Sequence, residues 1–181
     1  MTHVSFEQRI STEEELRELL GYPSELVRQK VINHWDRHYR EFIDLSPFIL
    51  MSTANLHGEC DVSPRGDSPG FALVLDDKHL VIPERPGNRR MDSLRNILSN
   101  PYIGLIFLIP GLEETLRVNG KASILRDESL LGTMGVNGRT PMVAIGIEVE
   151  ECYIHCAKSL KRSRLWQAET WPDLAVLPNP A

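Results

Sequence analysis

The chain has 181 residues, of which 20 are Lys or Arg and 25 are Asp or Glu, so its formal net charge is −5. This length predicts one domain with a sizeable core, and the acidic balance argues against partners such as nucleic acid or a membrane surface. Three cysteines, Cys60, Cys152 and Cys156, are too few for a disulfide framework and favour a reducing compartment. The first ten residues lack the apolar stretch of a signal peptide, and the longest apolar run, Ile103–Ile109, is too short to span a bilayer. We therefore expect a soluble, cytoplasmic protein.

The N-terminal region, residues 1–44, is predicted to be a helical extension. Ser11-Thr12 followed by three glutamates is typical of a helix start, and the apolar stripe behind it stops at Gly21. Pro23 suits the first turn of a second helix, which is predicted to continue towards Trp35.

From Ser46 the apolar residues change from helical spacing to the short runs and alternation that are typical of strands. The predicted strands are Pro47–Ala54, Cys60–Arg65, Gly70–Leu75, Lys78–Ile82, Tyr102–Leu108, Glu114–Leu125 (with a bulge at Asn119-Gly120) and Met142–Cys156. The predicted helices are one capped by Asn88 that stops at Asn100, one over Asp127–Gly132 and a basic one over Ala157–Trp166.

This succession of elements predicts a mainly β fold of the α+β class, an antiparallel barrel with flanking helices. Most connections have the length of a hairpin, whereas parallel strands need long crossovers. We expect a single domain over residues 1–181, with a barrel core over 45–166 and a C-terminal arm over 167–181. The arm is predicted to be extended because its last eleven residues contain three prolines.

Metal ligation is a weak interpretation of the histidines and cysteines. His34 and His38 are four residues apart and would share a helical face, but no glutamate accompanies them in an H-E-x-x-H pattern. A surface or capping role is favoured for that pair. On a strand, Cys152 and Cys156 would face one side and His155 the other, so buried cysteines are the simpler interpretation.

Three basic clusters stand out in this acidic chain. The first lies at Arg65-Gly66, the second surrounds a helix start with Arg85, Arg89 and Arg90, and the third runs from Lys158 to Arg164 without an acidic residue. A helix N-terminus favours anions, and guanidinium groups add charge-assisted hydrogen bonds. Together the clusters predict a site for one small anionic ligand, although each cluster alone is more simply explained as a solvated surface.

The order of several segments resembles a known family. A strand ending in Ser63-Pro64-Arg65-Gly66 is followed by a strand ending in Leu80-Val81-Ile82-Pro83 and by a helix that contains Asn88-Arg89-Arg90-Met91-Asp92-Ser93-Leu94. The strand Ile103–Leu108 and the run Glu114–Ala122 complete the pattern. Over residues 45–166 the sequence resembles the pyridoxamine 5′-phosphate oxidase-like flavoproteins, which share the FMN-binding split barrel, and it is most similar to an FMN-dependent subgroup.

The resemblance implies a homodimer with FMN at the subunit interface. Pro83 and Glu84 would border the ribityl chain of the cofactor, and Arg65 stands where family members hold a lysine. The residues that would run beside the flavin are Val62, Ser63, Pro64 and Arg65. The matches to the family's phosphate-binding segment are Asn88, Arg89 and Arg90. The residues that would complete the site are Thr115, in place of a flavin-contacting glutamine, and Lys158, Arg162 and Trp166.

Two departures from the family pattern argue against vitamin B6 oxidation. Cys60 falls near the place of the usual strand-opening arginine, and the C-terminal Arg-Leu-x-Pro segment is replaced by Val176-Leu177-Pro178. The leading hypothesis is therefore an FMN-dependent oxidoreductase acting on another small-molecule substrate. The alternative is a non-catalytic flavin- or haem-binding module, for which His79 or His155 would be the axial ligand.

The dimer interface is expected to involve two apolar strands. Tyr102–Leu108 and Met142–Ile147 have the composition of a self-complementary surface, although the same residues would also fill the core of one barrel.

Overall fold

The computed structural model describes residues 7–176, which divide into two compact units between Val31 and Ile32. The first unit contains the helices α1 (Glu13–Leu20) and α2 (Glu25–Gln29). At the start of α1, the Thr12 side chain accepts a hydrogen bond from the Glu15 N–H at 3.2 Å, and three glutamates fill the first turn. The predicted end of this helix at Gly21 is confirmed, since Gly21 adopts a φ of +74°.

The prediction that the second helix continues towards Trp35 is wrong. The chain is no longer helical at Ile32, which forms an antiparallel bridge with Cys152 through backbone hydrogen bonds of 2.7 and 3.1 Å. A new helix, α3 (Arg37–Leu45), starts after Asp36, whose carboxylate accepts the N–H of Tyr39. His34 therefore precedes the helix that holds His38, and the two histidines do not share a helical face.

The second unit is built on one seven-stranded antiparallel sheet, as the sequence predicted. The strand order is β2-β1-β5-β6-β7-β4-β3. The strands are β1 (Phe48–Ala54), β2 (Cys60–Gly66), β3 (Leu73–Val74), β4 (His79–Pro83), β5 (Tyr102–Leu108), β6 (Thr115–Leu125) and β7 (Ala144–His155). The predicted bulge is confirmed between Asn119 and Gly120, where the register of β6 against β7 shifts.

Three further α-helices follow in the chain, α4 (Asp92–Ser99), α5 (Glu128–Thr133) and α6 (Lys158–Ser163). The predicted strand over Gly70–Leu75 is wrong in length, because only its last part pairs with β4 and Gly70 turns the chain at a φ of +81°. The predicted extended arm is interrupted by short 3-10 helices at Ala168–Thr170 and Leu174–Val176, and residues 177–181 lie outside the described residues.

The core lies between α3, α4 and the inward side chains of the sheet. It includes Trp35 at 2% exposure and three α3 residues, Tyr39, Phe42 and Ile43, together with Phe107 at the centre of the sheet. Most of the apolar side chains on β5 and β7 also belong to it. Hydrophobic burial of this extent fixes the register of the strands, because a shift by one residue would expose the whole inward set.

Two hydrogen bonds attach α4 to the sheet. The Ser93 hydroxyl donates to the Asp61 carboxylate of β2 at 3.0 Å, and the Asn96 amide donates to the Thr53 hydroxyl of β1 at 3.0 Å. They fix the helix start beside the edge strand β2. Among residues 7–176, no helix is both long enough and apolar enough to cross a membrane.

Candidate functional site

A cavity of about 1540 Å³ opens beside the sheet and has three walls. The first wall is β2 with Asp67, the second is the connection from Pro83 to the start of α4, and the third is Val136–Val143, which precedes β7. Because β2 pairs only with β1 among the described strands, the backbone groups on its other edge are available to a ligand.

Backbone pairing joins the second and third walls. Pro83 of β4 lies opposite Ala144 of β7, and beyond this pair the Glu84 N–H donates to the Val143 carbonyl at 3.1 Å. The second and third walls therefore continue the pairing of β4 with β7 beyond the strands, and a backbone hydrogen bond of the same kind joins them.

Ion pairs join the first wall to the second. Arg65 at the end of β2 contacts Glu84, and the two side chains are 14% and 24% exposed. Arg85 donates to Asp67 at 2.7 Å and to the backbone carbonyl of Met134 at 2.8 Å. Arg85 thus connects the first two walls with the segment just before the third, which indicates a structural role for this member of the predicted cationic cluster.

Arg65 retains an unused donor that is buried. Its Nε is buried and has no hydrogen-bond partner among the described residues. A buried guanidinium N–H without an acceptor costs free energy, unless a ligand supplies the acceptor. The side chain lies in the wall of the cavity, so this donor is suited to an oxygen or nitrogen atom of a bound molecule.

The segment before α4 differs from the prediction that Asn88 caps the helix. The helix starts at Asp92, and the N-cap position is Met91, whose left-handed φ of +59° is incompatible with the usual cap geometry. The Asn88 side chain instead accepts the N–H of Arg90 at 3.0 Å, and Arg90 pairs with Asp92 at 2.8 Å. The chain bends at Arg89 ahead of the helix, and this segment is not the first turn of the helix.

Arg89 is, with Arg90, one of two exposed cations of this loop. It also adopts a left-handed φ of +63°, a conformation that costs a non-glycine residue about 1 kcal/mol. Its guanidinium makes no hydrogen bond or ion pair with any residue of the described range 7–176, in contrast to Arg65, Arg85 and Arg90. A strained backbone that presents an unpaired arginine to a cavity is suited to binding an anion.

The cavity brings together nine of the thirteen residues that the resemblance implied. They are Val62, Ser63, Pro64, Arg65, Pro83, Glu84, Asn88, Arg89 and Arg90. The other four, Thr115, Lys158, Arg162 and Trp166, do not line this cavity within one chain.

Those four residues lie near the start of β6 and on or after α6. Thr115 pairs with His155 at the end of β7, and the Trp166 indole N–H donates to the Leu112 carbonyl at 2.8 Å. Lys161 of α6 pairs with Glu113 at 3.1 Å. The four residues Thr115, Lys158, Arg162 and Trp166 are together called the α6 cluster below.

The third wall of the cavity was not predicted from the sequence to be part of a site. The sequence predicted only a glycine-rich loop over Thr133–Thr140, without a binding role. The dipeptide Asn137-Gly138 was an available signal, because Asn-Gly is typical of a two-residue hairpin turn. The structure contains this turn between Val136 and Arg139.

The predicted alternative ligands lie outside the cavity. The His79 ring contacts the Asp76 carboxylate at 2.9 Å, and hydrogen bonds from the Lys78 N–H and this ring lower the pKa of Asp76. His155 is exposed at the end of β7. No group of three potential metal ligands occurs within residues 7–176.

The two cysteines near the end of β7 have different surroundings. Cys152 is buried, as predicted, and burial raises the pKa of its thiol to about 12. Cys156 lies beyond the strand and is exposed, so the prediction of a buried cysteine is wrong there.

The antiparallel sheet and its edge cavity define a split-barrel protein, and a sequence comparison identifies its family. The sequence profile described as Pyridoxamine 5′-phosphate oxidase matches residues 35–156, about two-thirds of the chain. The chain belongs to this family, which confirms the resemblance. No curated protein matches the chain significantly.

Solved structures show the same fold at low sequence identity. HupZ from Group A Streptococcus is 17% identical, with a TM-score of 0.53, and the match covers 66% of this chain and 93% of that one. A candidate pyridoxamine 5′-phosphate oxidase from Lactobacillus delbrueckii is 18% identical, with a TM-score of 0.53 and coverage of 67% and 95%. An FMN-binding protein from Syntrophomonas wolfei is 10% identical, with a TM-score of 0.50 and coverage of 79% and 96%. These similarities confirm the split-barrel fold.

Proposed function

We propose that the cavity binds FMN and that the protein is an FMN-dependent oxidoreductase with a small-molecule substrate. The observation that carries the proposal is the unpaired Arg89 in a cavity lined by nine residues that the family pattern assigns to the cofactor. Family membership and the fold shared with an FMN-binding protein support the choice of a flavin.

The residues of the cavity fit the parts of a flavin mononucleotide. The buried and partnerless Nε of Arg65 offers a hydrogen bond to an acceptor on the flavin ring. Arg89 offers a guanidinium to the phosphate, and Asn88 accepts the N–H of Arg90 in the bend that presents it. Pro83 and Glu84, which also line the cavity, would border the ribityl chain.

FMN supplies the redox chemistry, the transfer of a hydride or of electrons to or from a substrate. The protein binds and orients the cofactor through the edge of β2 and the two arginines. Glu84 holds the Arg65 guanidinium in place, where its positive charge would stabilise negative charge on a bound flavin. Among the described residues that line the cavity, no side chain has the hydrogen-bond partners expected of a general acid or base. The proposal therefore names binding and positioning residues only.

We extend the proposal to a homodimer in which the α6 cluster of one chain completes the cavity of the other. Most of the predicted interface strands fill the chain's own core, since Leu105, Phe107, Ile145 and Ile147 are buried. The opposite face of β2, β1 and β5 exposes apolar side chains at positions related by the strand register. These are Phe48, Val62, Pro64, Tyr102 and Ile106.

This exposed apolar face is suited to docking a second copy of the chain. Val62 and Pro64 also line the cavity, so a chain docked on the face lies next to the site. A cavity that opens to solvent leaves part of a flavin in water, whereas ligand sites bury most of the ligand surface. A second wall from the partner chain would supply that burial.

The experiment compares FMN and riboflavin binding to the wild type and to Arg89→Ala by titration of flavin fluorescence. Loss of one charge-assisted hydrogen bond at an exposed site costs about 1.5 kcal/mol, which is roughly a tenfold rise in the Kd for FMN. Riboflavin lacks the phosphate, so its Kd should be nearly the same in both proteins.

The matched control is Arg126→Ala, an exposed arginine between β6 and α5 that does not line the cavity. It should leave both affinities unchanged. Equal FMN affinity in Arg89→Ala and wild type would show that the phosphate does not bind this loop. An equal loss for FMN and riboflavin would point to a change in the cavity as a whole.

A further inference from the structure

The third wall of the cavity carries a rigid β-turn. Val136 and Arg139 exchange backbone hydrogen bonds of 3.1 and 3.0 Å, and Asn137 and Gly138 between them have φ values of +51° and +72°. Positive φ at both central residues is the geometry of a type I′ hairpin turn. The turn Val136–Arg139 is called the Arg139 hairpin below.

The base of this hairpin is held by packing and by a charged hydrogen bond. Met134, two residues before Val136, is 5% exposed and packs with Leu131 against Val81 and Ala144. The backbone carbonyl of Met134 accepts the hydrogen bond from Arg85. A fixed base and a tight turn give the backbone of Arg139 a defined place, and its exposed side chain lies in the wall of the cavity.

Arg139 is the second unpaired guanidinium of the cavity. Of the five arginines that line it, Arg65, Arg85 and Arg90 pair with carboxylates, and Arg89 and Arg139 pair with none within the described chain. The neighbouring side chains of Asn137 and Thr140 also make no hydrogen bond with described residues. Three adjacent polar groups are therefore available to a ligand on this wall.

Within one chain, the cavity is larger than the site of one small ligand usually is. Before the proposed partner chain adds its wall, its volume of about 1540 Å³ exceeds the usual range of about 300–1,000 Å³. FMN carries a single phosphate group, for which Arg89 is the proposed partner. The hairpin lies on a different wall and a different element, so its guanidinium suits a second anion.

We propose that the Arg139 hairpin forms an oxyanion subsite, with Asn137 and Thr140, for the molecule that reacts with the cofactor. This inference rests on the proposed function, and it names the substrate class as a small molecule with a carboxylate or phosphate group. Arg139 binds that group and positions the remainder of the substrate in the space left beside the cofactor. The competing interpretation is a solvated surface arginine with no ligand.

The test titrates inorganic phosphate and, separately, acetate into the FMN-loaded protein and follows the arginine Nε–H resonances by NMR. A saturable shift is expected with at least one of the two anions, and the tighter one indicates which oxyanion the subsite prefers. Arg139→Ala should raise the Kd of that anion by about tenfold or more while the Kd for FMN changes by less than about twofold. Arg139→Lys should recover part of the affinity because it keeps the charge.

Arg126→Ala serves again as the matched control and should leave both anion and FMN binding unchanged. An anion affinity that is equal in wild type and Arg139→Ala, or no saturable shift in the wild type, would overturn the inference. So would a loss of FMN affinity in Arg139→Ala as large as that in Arg89→Ala, because Arg139 would then bind the cofactor's phosphate.

The same titration on cofactor-free protein separates this inference from the proposed function. There two anion sites are expected, one removed by Arg89→Ala and the other by Arg139→Ala. If the wild type fails to bind FMN, the proposed function is wrong, and the Arg139-dependent site in the cofactor-free protein still decides the inference. Circular dichroism of each variant verifies that the fold is unchanged.

Discussion

Arg85→Ala should destabilise the protein far more than the removal of an ordinary surface arginine. Arg85 and Asp67 are 26% and 17% exposed, and the same guanidinium also donates to the Met134 carbonyl. Exposed ion pairs contribute about 0–1 kcal/mol, whereas breaking a buried pair costs about 3–5 kcal/mol. This pair lies between those limits, so we expect a loss of about 2–3 kcal/mol in the free energy of unfolding.

The assay is equilibrium unfolding in urea with Arg37→Ala as the control. Arg37 pairs with Glu41 on α3, and the two side chains are 86% and 53% exposed, so its removal should destabilise the protein far less than the removal of Arg85. Limited proteolysis of Arg85→Ala should also cut near the Arg139 hairpin, because the hydrogen bond to its base is lost. Equal stability of the two variants would refute the structural role of Arg85.

Three further predictions concern assembly, thiols and the β6 bulge. Sedimentation should show a dimer of the 20.6 kDa chain, and Ile106→Asp on the exposed face should shift it to monomer. At about pH 8 a thiol reagent should modify Cys60 and Cys156 but not Cys152, because Cys152 is buried and its pKa is raised to about 12, so it remains protonated. Gly120→Ala should cost about 2 kcal/mol or more, since its Cβ would meet the backbone carbonyl of the facing strand.

Each of these predictions has a contrary result. A monomer that retains bound flavin would contradict the dimer, and modification of Cys152 as fast as Cys60 would contradict its burial. The control for Gly120 is Gly132→Ala in α5, where an added Cβ meets no atom within 4 Å and removing a helical glycine favours folding. Equal stability changes in the two glycine variants would show that the bulge tolerates a side chain.

The strands and the bulge could be predicted because their signals are local. Alternating burial along β6 follows the alternation of apolar residues in the sequence, and Asn119-Gly120 marks the place where the register shifts. The end of α2 could not be predicted in this way. It depends on the pairing of Ile32 with Cys152, which are 120 positions apart in the chain.

For the site, the sequence predicted which residue types matter but not how they pair. Arg85, Arg89 and Arg90 look alike in the sequence, and only the fold shows that Arg85 and Arg90 have carboxylate partners while Arg89 has none within residues 7–176. The contribution of Arg139 was missed for the same reason. Its place in the cavity depends on the packing of Met134, which is far from β2 in the sequence. Local patterns specify elements, and tertiary contacts decide which charges remain available.

FMN binding is tested most directly by the absorption spectrum of the purified protein, together with chromatography of any small molecule released on denaturation. We expect the two visible-region bands of an oxidised flavin and the release of FMN, not FAD. Protein isolated without the cofactor should bind added FMN saturably. A Soret band would support the haem-binding alternative instead. A colourless protein that does not bind added FMN would contradict the proposed function.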